Sequence, residues 1–324
     1  KPIVYMSALK EGFTPSTLIL DAPYVIDQGP GLPKWKPSNY AEKFHGLGTM
    51  RIGVEKSRNL MTIRLADKIG MKKILKTAED FNLIKGLDNN LSMALGAGVV
   101  TLKDLTNAYA MIVNGGKKIK PKLIQSVYDR RGKLIFNSEK EKKCHNCIQT
   151  GNLIEYDIPQ IEEKTEFIID KKIAYQMTSM LEGVVLRGTG KNISSLNTPL
   201  GGKTGTTNDN KDAWFIGFSP DLAVGVYVGY DKPKSLGFKQ TGSNVAAPIF
   251  KSFMERIEVN KNKIPFRIPS GISFVKIDPQ TGLQTKNDKG ILEAYIIGTE
   301  PFNKNIRILD DLGSINNNSI SGTG

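Results

Sequence analysis

The segment from residue 200 to residue 230 constrains the fold of this 324-residue chain more than any other part of it. It begins with the sequence LGGKTGTT at Leu200, continues through the apolar run 213–218, turns at Ser219-Pro220-Asp221 and returns through 222–230. Runs rich in Val, Phe, Tyr and Ile on either side of a Pro-Asp turn are typical of antiparallel strands. The segment therefore predicts a glycine-rich strand followed by a hairpin.

Helical patterns precede this segment. One predicted helix starts at Thr101, where Asp104 supplies the partner for a capping box, and it stops at the glycine pair 115–116. Another starts near Asp170 and carries apolar residues on one face: Ile173, Met177, Met180, Leu181 and Val184. Stripes of this kind are typical of surfaces that pack on a core.

A further helix closes the strand segment. Pro248 lies in its first turn, and four apolar residues are predicted to face one way: Ile249, Phe250, Phe253 and Ile257. Helices, then strands, then a helix favour an α+β fold over a parallel α/β fold. We therefore predict an α+β domain with antiparallel strands.

The rest of the chain divides by composition. We expect one main domain over residues 1–258, in which about 117–166 form an inserted segment with β-like runs at 123–128 and 134–136. Two further β-like runs, 272–277 and 292–297, predict a small β-rich appendage over 259–313. Residues 314–324 are rich in Asn, Ser and Gly, which predicts a disordered tail.

The net charge of +13 could indicate a protein that binds nucleic acid. Lys and Arg are scattered among Asp and Glu along the whole length, and no nucleic-acid-binding motif is present. We therefore expect a solvated basic surface and no nucleic-acid partner.

The sequence has neither a signal peptide nor an apolar run of the roughly 20 residues that a membrane helix needs. It starts without Met, so we expect a fragment of a longer protein.

Cys144 and Cys147 form a single Cys-x-x-Cys, and the histidines are His45 and His145. A structural zinc site needs about four ligands, so we expect no metal and no cofactor. The flanks lack the strand-then-helix setting of a thioredoxin motif. A local disulfide in an oxidising compartment and an idle pair of thiols both remain open.

Two short motifs offer chemistry. Lys203-Thr204-Gly205-Thr206 places a cation, two hydroxyls and an accessible backbone on one strand, which suits an extended peptide that ends in a carboxylate. Ser57-Arg58-Asn59 precedes a helical stretch that Gly70 ends; Ser57 can pass a proton, and Asn59 can hold an amide. Each motif alone also fits a structural role, as a glycine-rich strand entry or a helix N-terminus.

Together the motifs resemble those of the class A, bifunctional penicillin-binding proteins, whose family carries S-x-x-K, S-D-N and K-T-G. The resemblance covers nearly the whole chain except about 130–165 and the tail. The matching segments are EGFTP (11–15), WKPSNY (35–40), 51–59, AYQM (174–177), GTG (188–190), 202–229, DPQTG (278–282) and GTEP (298–301). The resemblance implies the α+β fold of the penicillin-binding transpeptidases and serine β-lactamases, an antiparallel sheet flanked by helices with an all-helical subdomain.

More than one lysine could belong to the S-x-x-K motif. The chain contains Ser7-Ala8-Leu9-Lys10 and Ser273-Phe274-Val275-Lys276, but the second follows K-T-G, against the family order. In the family the motif lysine is followed by Pro, an apolar residue and soon a Tyr, as in Lys1-Pro2-Ile3-Val4-Tyr5. We therefore identify Lys1 as the motif lysine and expect the serine three residues upstream of it.

The resemblance implies acyl transfer through a serine ester. Lys1 would be the base, Ser57 the proton relay between Lys1 and Lys203, and Thr206 N–H part of the oxyanion hole. Thr204 and Thr206 would bind the carboxylate of a D-Ala-D-Ala stem peptide beside Gly205, and Asn59 its amide. β-Lactams would be trapped as esters, and the longer protein would carry a glycosyltransferase domain and an anchor at the periplasmic face of the inner membrane.

Two alternatives remain. A D,D-carboxypeptidase or a serine β-lactamase would send water to the ester, but no Glu-x-x-Leu-Asn segment stands between Ser57 and Lys203. A non-catalytic, peptide-binding fragment is the other alternative, since the chain as given lacks its nucleophile and is expected to be inactive alone. The residues immediately before Lys1 decide whether the nucleophile is present, and the lifetime of the acyl-enzyme separates a transpeptidase from the enzymes that use water.

Overall fold

The structure, a computed structural model, describes residues 1–27, 31, 33–83, 89–138, 165–196, 198–258, 263–301, 308–309 and 315–316. Cys144 and Cys147 lie outside these ranges, as does most of the predicted disordered tail. Within the tail, Ile315–Asn316 forms a strand, so the prediction of disorder is wrong at those two residues.

The predicted order of helices, then strands, then a helix holds for residues 50–258 apart from the predicted β-like runs near 126–137, whereas the strands at 18–21 and 46–49 were not predicted. The helices are α1 (Pro2–Lys10), α2 (Met50–Glu55), α3 (Asn59–Ile69), α4 (Met71–Asp80), α5 (Leu102–Val113), α6 (Lys171–Leu186) and α7 (Ala247–Glu258). The strands are β1 (Leu18–Asp21), β2 (Gly46–Thr49), β3 (Ser126–Tyr128), β4 (Leu134–Asn137), β5 (Gly201–Thr206), β6 (Asp212–Phe218), β7 (Ala223–Gly229), β8 (Ile272–Ile277), β9 (Ile291–Ile296), β10 (Ile308–Leu309) and β11 (Ile315–Asn316).

Helix α1 lies at the centre of the helical core. Every residue from Val4 to Leu9 is at most 4 % exposed, so the helix is enclosed on nearly all sides. It packs against α3, α4 and α6, and the Tyr5 hydroxyl lies 3.1 Å from that of Thr62 in α3. Pro2 occupies the first turn, where its missing N–H costs no helical hydrogen bond. The position of Lys1 at the N-terminus of α1 is therefore fixed by the core.

The predictions for α5 and α6 are confirmed. The Thr101 hydroxyl accepts from Asp104 N–H at 3.0 Å at the start of α5, and Asp170 accepts from Lys172 N–H at 2.7 Å at the start of α6. All the residues of the predicted α6 stripe are buried: Ile173, Met177, Met180, Leu181 and Val184.

The predicted strands at 200–230 form an antiparallel sheet in the order β5-β6-β7. The hairpin between β6 and β7 turns at Ser219, whose N–H donates to Leu222 O at 2.8 Å. Side chains of β6 alternate between two cores. Ile216 and Phe218 join the helical core, whereas Phe215 packs on Phe250 of α7 with ring centroids 4.9 Å apart.

The prediction of which face of α7 is buried is confirmed for two of its four residues and wrong for the other two. Phe250 is fully buried and Ile257 packs beside it, but Ile249 and Phe253 are 49 % and 46 % exposed. Met254 is buried in their place. The sheet surface around Phe215 selects residues 250, 254 and 257, which share a helix face at spacings of four and three.

The segment predicted to be an insertion and the C-terminal part both contact the rest of the chain; Asn107 in α5, for example, donates to Ile119 O at 3.0 Å. Lys118 N–H donates to Glu166 O at 2.8 Å, so the two ends of the inserted segment lie together, and β3 pairs with β4 between them. Strand β10 pairs in parallel with β1, and β9 pairs with β8. Gln176 in α6 donates to the carbonyl of Ala294 in β9 at 2.9 Å.

A buried ion pair joins the main domain to the C-terminal hairpin β8–β9. Arg51 in α2 is 2 % exposed and Glu293 in β9 is fully buried. The Arg51 guanidinium donates two hydrogen bonds to the Glu293 carboxylate and further ones to Glu55 and to the Ser179 carbonyl and hydroxyl. Such a cluster is stable only when every charge keeps its partner.

We expect Glu293→Ala to destabilise the domain by about 3–5 kcal/mol, because it leaves the Arg51 charge buried without its main partner. Urea unfolding of the variant measures this. Lys73→Ala, which breaks the exposed pair with Glu11, is the matched control and should change stability little. The double change Arg51→Met with Glu293→Leu should destabilise less than Glu293→Ala alone; equal losses would contradict the argument.

Candidate active site

Lys1 points at the turn between α2 and α3. Its Nζ lies 2.8 Å from Ser57 O, 3.1 Å from Ser57 Oγ and 2.5 Å from Asn59 Oδ1. These partners are more than fifty residues away in the chain, and only the packing of α1 against α3 brings them together. A lysine at the N-terminus of a buried helix is thus anchored by three acceptors.

Ser57 has a left-handed backbone, with φ at +56°. A residue other than glycine is strained there by about 1–2 kcal/mol. This conformation makes the turn between α2 and α3, which begins two residues later. It directs both the carbonyl and the hydroxyl of Ser57 toward Lys1. Strain at a turn where polar groups converge is typical of functional sites.

Lys203 reaches the same hydroxyl from the sheet. It is 5 % exposed, and its Nζ lies 2.8 Å from Ser57 Oγ and 3.0 Å from Thr204 O. In β5 it pairs with Ile216 of β6, on the face that joins the helical core. Ser57 Oγ is therefore shared by two lysine side chains that come from a helix and from a strand.

Both lysines have lowered pKa values. Burial places the pKa of Lys1 well below its usual range, and the charge of Lys203 lowers it further. Burial lowers the pKa of Lys203 to about 7. Two ammonium groups on one hydroxyl would repel each other, so near neutral pH the site favours a state with fewer than two charges.

The hydrogen bonds of Lys1 suit a proton acceptor. An ammonium group has three protons and can donate to Ser57 O, Ser57 Oγ and Asn59 Oδ1 at once. A neutral amine donates two hydrogen bonds and has one lone pair. In that form Lys1 can keep Ser57 O and Asn59 Oδ1 and can accept a proton from a hydroxyl, while Lys203 continues to donate to Ser57 Oγ.

The other residues of the K-T-G motif lie along the edge of the described sheet. Thr207 N–H donates to Asp212 O at 3.2 Å, so the alternation of an antiparallel ladder directs the amides of Thr204 and Thr206 away from β6. Thr206 is exposed, and its hydroxyl accepts from Gly242 N–H at 3.0 Å. A Cβ on Gly242 would lie 2.4 Å from the carbonyl oxygen of Gly205, so this close approach requires glycine.

Asn59 and the turn that holds it are fixed by neighbouring residues to which the sequence motifs assign no function. Asn39, in the WKPSNY segment, accepts from Asn59 N–H at 2.8 Å and donates to Asp21 at 2.7 Å. Asn59 donates its own side-chain amide to Ser38 O at 2.8 Å. Arg58 lies 3.7 Å from the carboxylate of Asp21. An Asn two residues after a proline carries too weak a signal to predict a contact twenty residues away.

Neither internal Ser-x-x-Lys string reaches this site. Ser7 is buried, and its hydroxyl donates to Ile3 O at 2.9 Å within α1, while Lys10 pairs with Asp80. Ser273 donates to Glu300, and Lys276 pairs with Asp288. Both strings are local features of a helix and a strand.

Among the residues that the structure describes, none of the helices combines the length and the apolar composition that a membrane span requires. No group of three or more His, Cys, Asp and Glu side chains in the same ranges is placed to hold a metal ion.

Comparison with known families places the chain. A family model described as "Penicillin binding protein transpeptidase domain" matches residues 1–255. The chain belongs to this transpeptidase family. Penicillin-binding protein 1A of Rickettsia conorii is 41 % identical over 312 residues, which are 96 % of this chain and 39 % of that protein. The chain thus spans about two fifths of the length of the curated relatives that it matches.

Solved structures confirm the predicted α+β transpeptidase fold. Penicillin-binding protein 1A from Haemophilus influenzae has a TM-score of 0.81 at 29 % identity, over 93 % of this chain and 48 % of that one. PonA1 from Mycobacterium tuberculosis, solved with penicillin V, has a TM-score of 0.66 at 20 % identity over 83 % of this chain and 70 % of that one. At that identity the second likeness concerns the fold of the transpeptidase domain alone.

We expect Asn39→Ala to lower the free energy of unfolding by about 1–3 kcal/mol, since it removes the N-terminal acceptor of α3 and a partner of the buried Asp21. Thermal unfolding measures the loss. Asn90→Ala is the matched control, because Asn90 also accepts a helix N–H but is exposed. A loss no larger than that of Asn90→Ala would show that the contact with Asp21 contributes nothing.

The lowered pKa of Lys203 makes stability depend on pH. Between about 7 and the ordinary value of 10.5 the unfolded chain binds more protons at this lysine than the folded chain does. Stability should therefore rise with pH across that window, by on the order of 1 kcal/mol per pH unit. In Lys203→Met this rise should be smaller, as urea unfolding at several pH values would show. Lys10→Met is the exposed control, and equal slopes in all three proteins would refute the argument.

Proposed function

We propose that this chain supplies the D,D-transpeptidase activity of a longer penicillin-binding protein, cross-linking peptidoglycan stem peptides through a serine acyl-enzyme. The observation that carries the proposal is the meeting of Lys1 and Lys203 on Ser57 Oγ, at 3.1 and 2.8 Å. Family membership and the close likeness to penicillin-binding protein 1A support it. The inner membrane, facing the periplasm, is the proposed location of the longer protein.

The proposed nucleophile is a serine three residues before Lys1. Residues three apart lie on the same face of a helix, so a serine one turn before Lys1 would lie beside Nζ. The three described partners of Lys1 leave its neutral form one lone pair for that hydroxyl. The local hydrogen bonds of Ser7 and Ser273 support this choice over either of those serines.

Acylation then follows from the positions of the two lysines and Ser57. The serine hydroxyl passes its proton to neutral Lys1 as its oxygen bonds to the carbonyl carbon of the penultimate D-Ala. The Thr206 amide, directed away from β6, and the amide of the serine stabilise the oxyanion, at about 3 kcal/mol per donor. The C–N bond breaks, and the departing amine takes a proton from Ser57, which Lys1 replaces.

Deacylation repeats these steps with a different nucleophile. The amine of a second stem peptide attacks the ester carbonyl and gives up a proton through Ser57 to Lys1. The C–O bond breaks, and the serine oxygen recovers a proton from Lys1. The products are a cross-linked peptide and the free enzyme. A β-lactam forms the same ester, but its amine stays tethered to the acyl group.

The substrate is proposed to lie along the open edge of β5. Thr204 and Thr206 share one face of the strand, and their hydroxyls bind the terminal carboxylate beside Gly205. Asn59 donates one side-chain proton to Ser38 and keeps the other for the substrate amide carbonyl.

Labelled benzylpenicillin should leave an ester adduct on the serine three residues before Lys1 in the longer protein, and mass spectrometry of the digest should locate it. Ser57→Ala should slow labelling by about 100-fold, because it removes the proton relay. Ser7→Ala and Ser273→Ala are the matched controls and should label at the normal rate. A stable adduct on Ser7 would refute the proposed register.

The lifetime of the same adduct separates the transpeptidase from a β-lactamase or carboxypeptidase. An ester that persists while free penicillin remains supports transfer to an amine acceptor. Rapid turnover of penicillin would mean that water is the acceptor. Absence of any adduct in the longer protein would favour the non-catalytic alternative.

A further inference from the structure

The hydroxyl of Thr189 lies against the strand that carries the proposed carboxylate site. Thr189 follows α6 and precedes the 3-10 helix Lys191–Leu196. Its Oγ1 lies 2.8 Å from Oγ1 of Thr204. No step of the reaction proposed above uses this residue.

Backbone contacts fix Thr189 in place. Its N–H donates to Glu55 O at 3.0 Å, and its carbonyl accepts from the Ser243 hydroxyl at 2.8 Å. The neighbouring Gly188 lies so close to Glu55 that an added Cβ would be 2.2 Å from the Glu55 carbonyl oxygen. The loop is therefore pinned to α2 on one side and to residue 243 on the other, and the Thr189 side chain stays beside Thr204.

The protons of this cluster decide what it can bind. A carboxylate only accepts hydrogen bonds, so each threonine that binds it must direct its own proton at it. Thr206 meets this condition, because its oxygen accepts from the Gly242 N–H and its proton remains free. Thr204 meets another hydroxyl, and either of the two can donate. Its proton is available for a ligand only when Thr189 is the donor.

We propose that Thr189 is a positioning residue of the carboxylate subsite, and that its hydroxyl donates to Thr204 and so directs the Thr204 proton at the carboxylate of the substrate. This inference rests on the proposed function, in which Thr204 and Thr206 bind that carboxylate. Successive donors polarise one another, which strengthens the final bond to the anion. Thr189 therefore favours ligands with a free carboxylate over their esters or amides.

The test compares benzylpenicillin with its methyl ester in the longer protein. The measurement is the ratio of the second-order acylation rate constants for the acid and the ester. Both constants come from the same protein sample, so the ratio does not depend on how much of a variant folds. Thr189→Val should lower the ratio about five- to tenfold, the loss expected for one hydrogen bond in a charged pair.

Three companion variants complete the test. Thr189→Ser keeps the hydroxyl and should keep most of the ratio. Thr204→Val should lower the ratio at least as far as Thr189→Val, and the double variant should fall no further than Thr204→Val, because Thr189 acts through Thr204. Ser194→Ala is the matched control: its hydroxyl donates to Lys191 O in the same loop, so its removal should leave the ratio unchanged.

The outcomes separate the two proposals. An unchanged ratio in Thr204→Val would refute the carboxylate site of the proposed function. A reduced ratio in Thr204→Val with an unchanged one in Thr189→Val would leave that site standing and refute the role of Thr189. Additive losses in the double variant would also overturn it, since Thr189 would then act on the carboxylate independently of Thr204.

Discussion

Two lysine side chains that share one hydroxyl form the interaction on which the rest of this structure depends. Lys1 and Lys203 both reach Ser57 Oγ, and burial lowers the pKa of each. Two full charges on one buried hydroxyl are unfavourable, so the pKa values of both lysines lie below those of exposed lysines. Helix α1, the strained turn at Ser57 and strand β5 each fix one member of the cluster, and none of the three members is held by sequence neighbours alone.

Glu55 links the parts of the scaffold behind this cluster. Its carboxylate accepts from Arg51 and Arg187, and its carbonyl accepts from Thr189. Because Glu55 lies two residues before Ser57, the turn that carries the Ser57 hydroxyl and the loop that carries Thr189 share one anchor. Through Arg51 the same anchor reaches Glu293 of β9, which lies beyond the segment that matches the family model. The C-terminal hairpin therefore supports a site to which it contributes no reacting group.

Local patterns predicted several of the elements but not their contacts. The stripe of α6 and the hairpin β6–β7 follow from spacing and turn chemistry within some twenty residues, and both are confirmed. The face of α7 was misjudged at Ile249 and Phe253, because which apolar residues a helix buries is set by the partner surface, here the ring of Phe215. The contact of Lys1 with Ser57 spans 56 positions and that of Lys203 with Ser57 spans 146, so the sequence could suggest the cluster only through a family resemblance.

The site costs free energy that packing and hydrogen bonds elsewhere in the domain must offset. A left-handed serine costs about 1–2 kcal/mol, and two buried lysines add a desolvation penalty that their partners only partly offset. Helix α1 offsets part of this cost by burial on nearly all sides, and Asn39 and Asp21 fasten the turn from behind. A site with the proposed function, which binds a carboxylate and exchanges protons, cannot relax this strain by replacing its polar groups. Its stability has to come from residues that never touch the substrate, which is why Asn39, Glu55 and Glu293 matter as much to the geometry as the motif residues do.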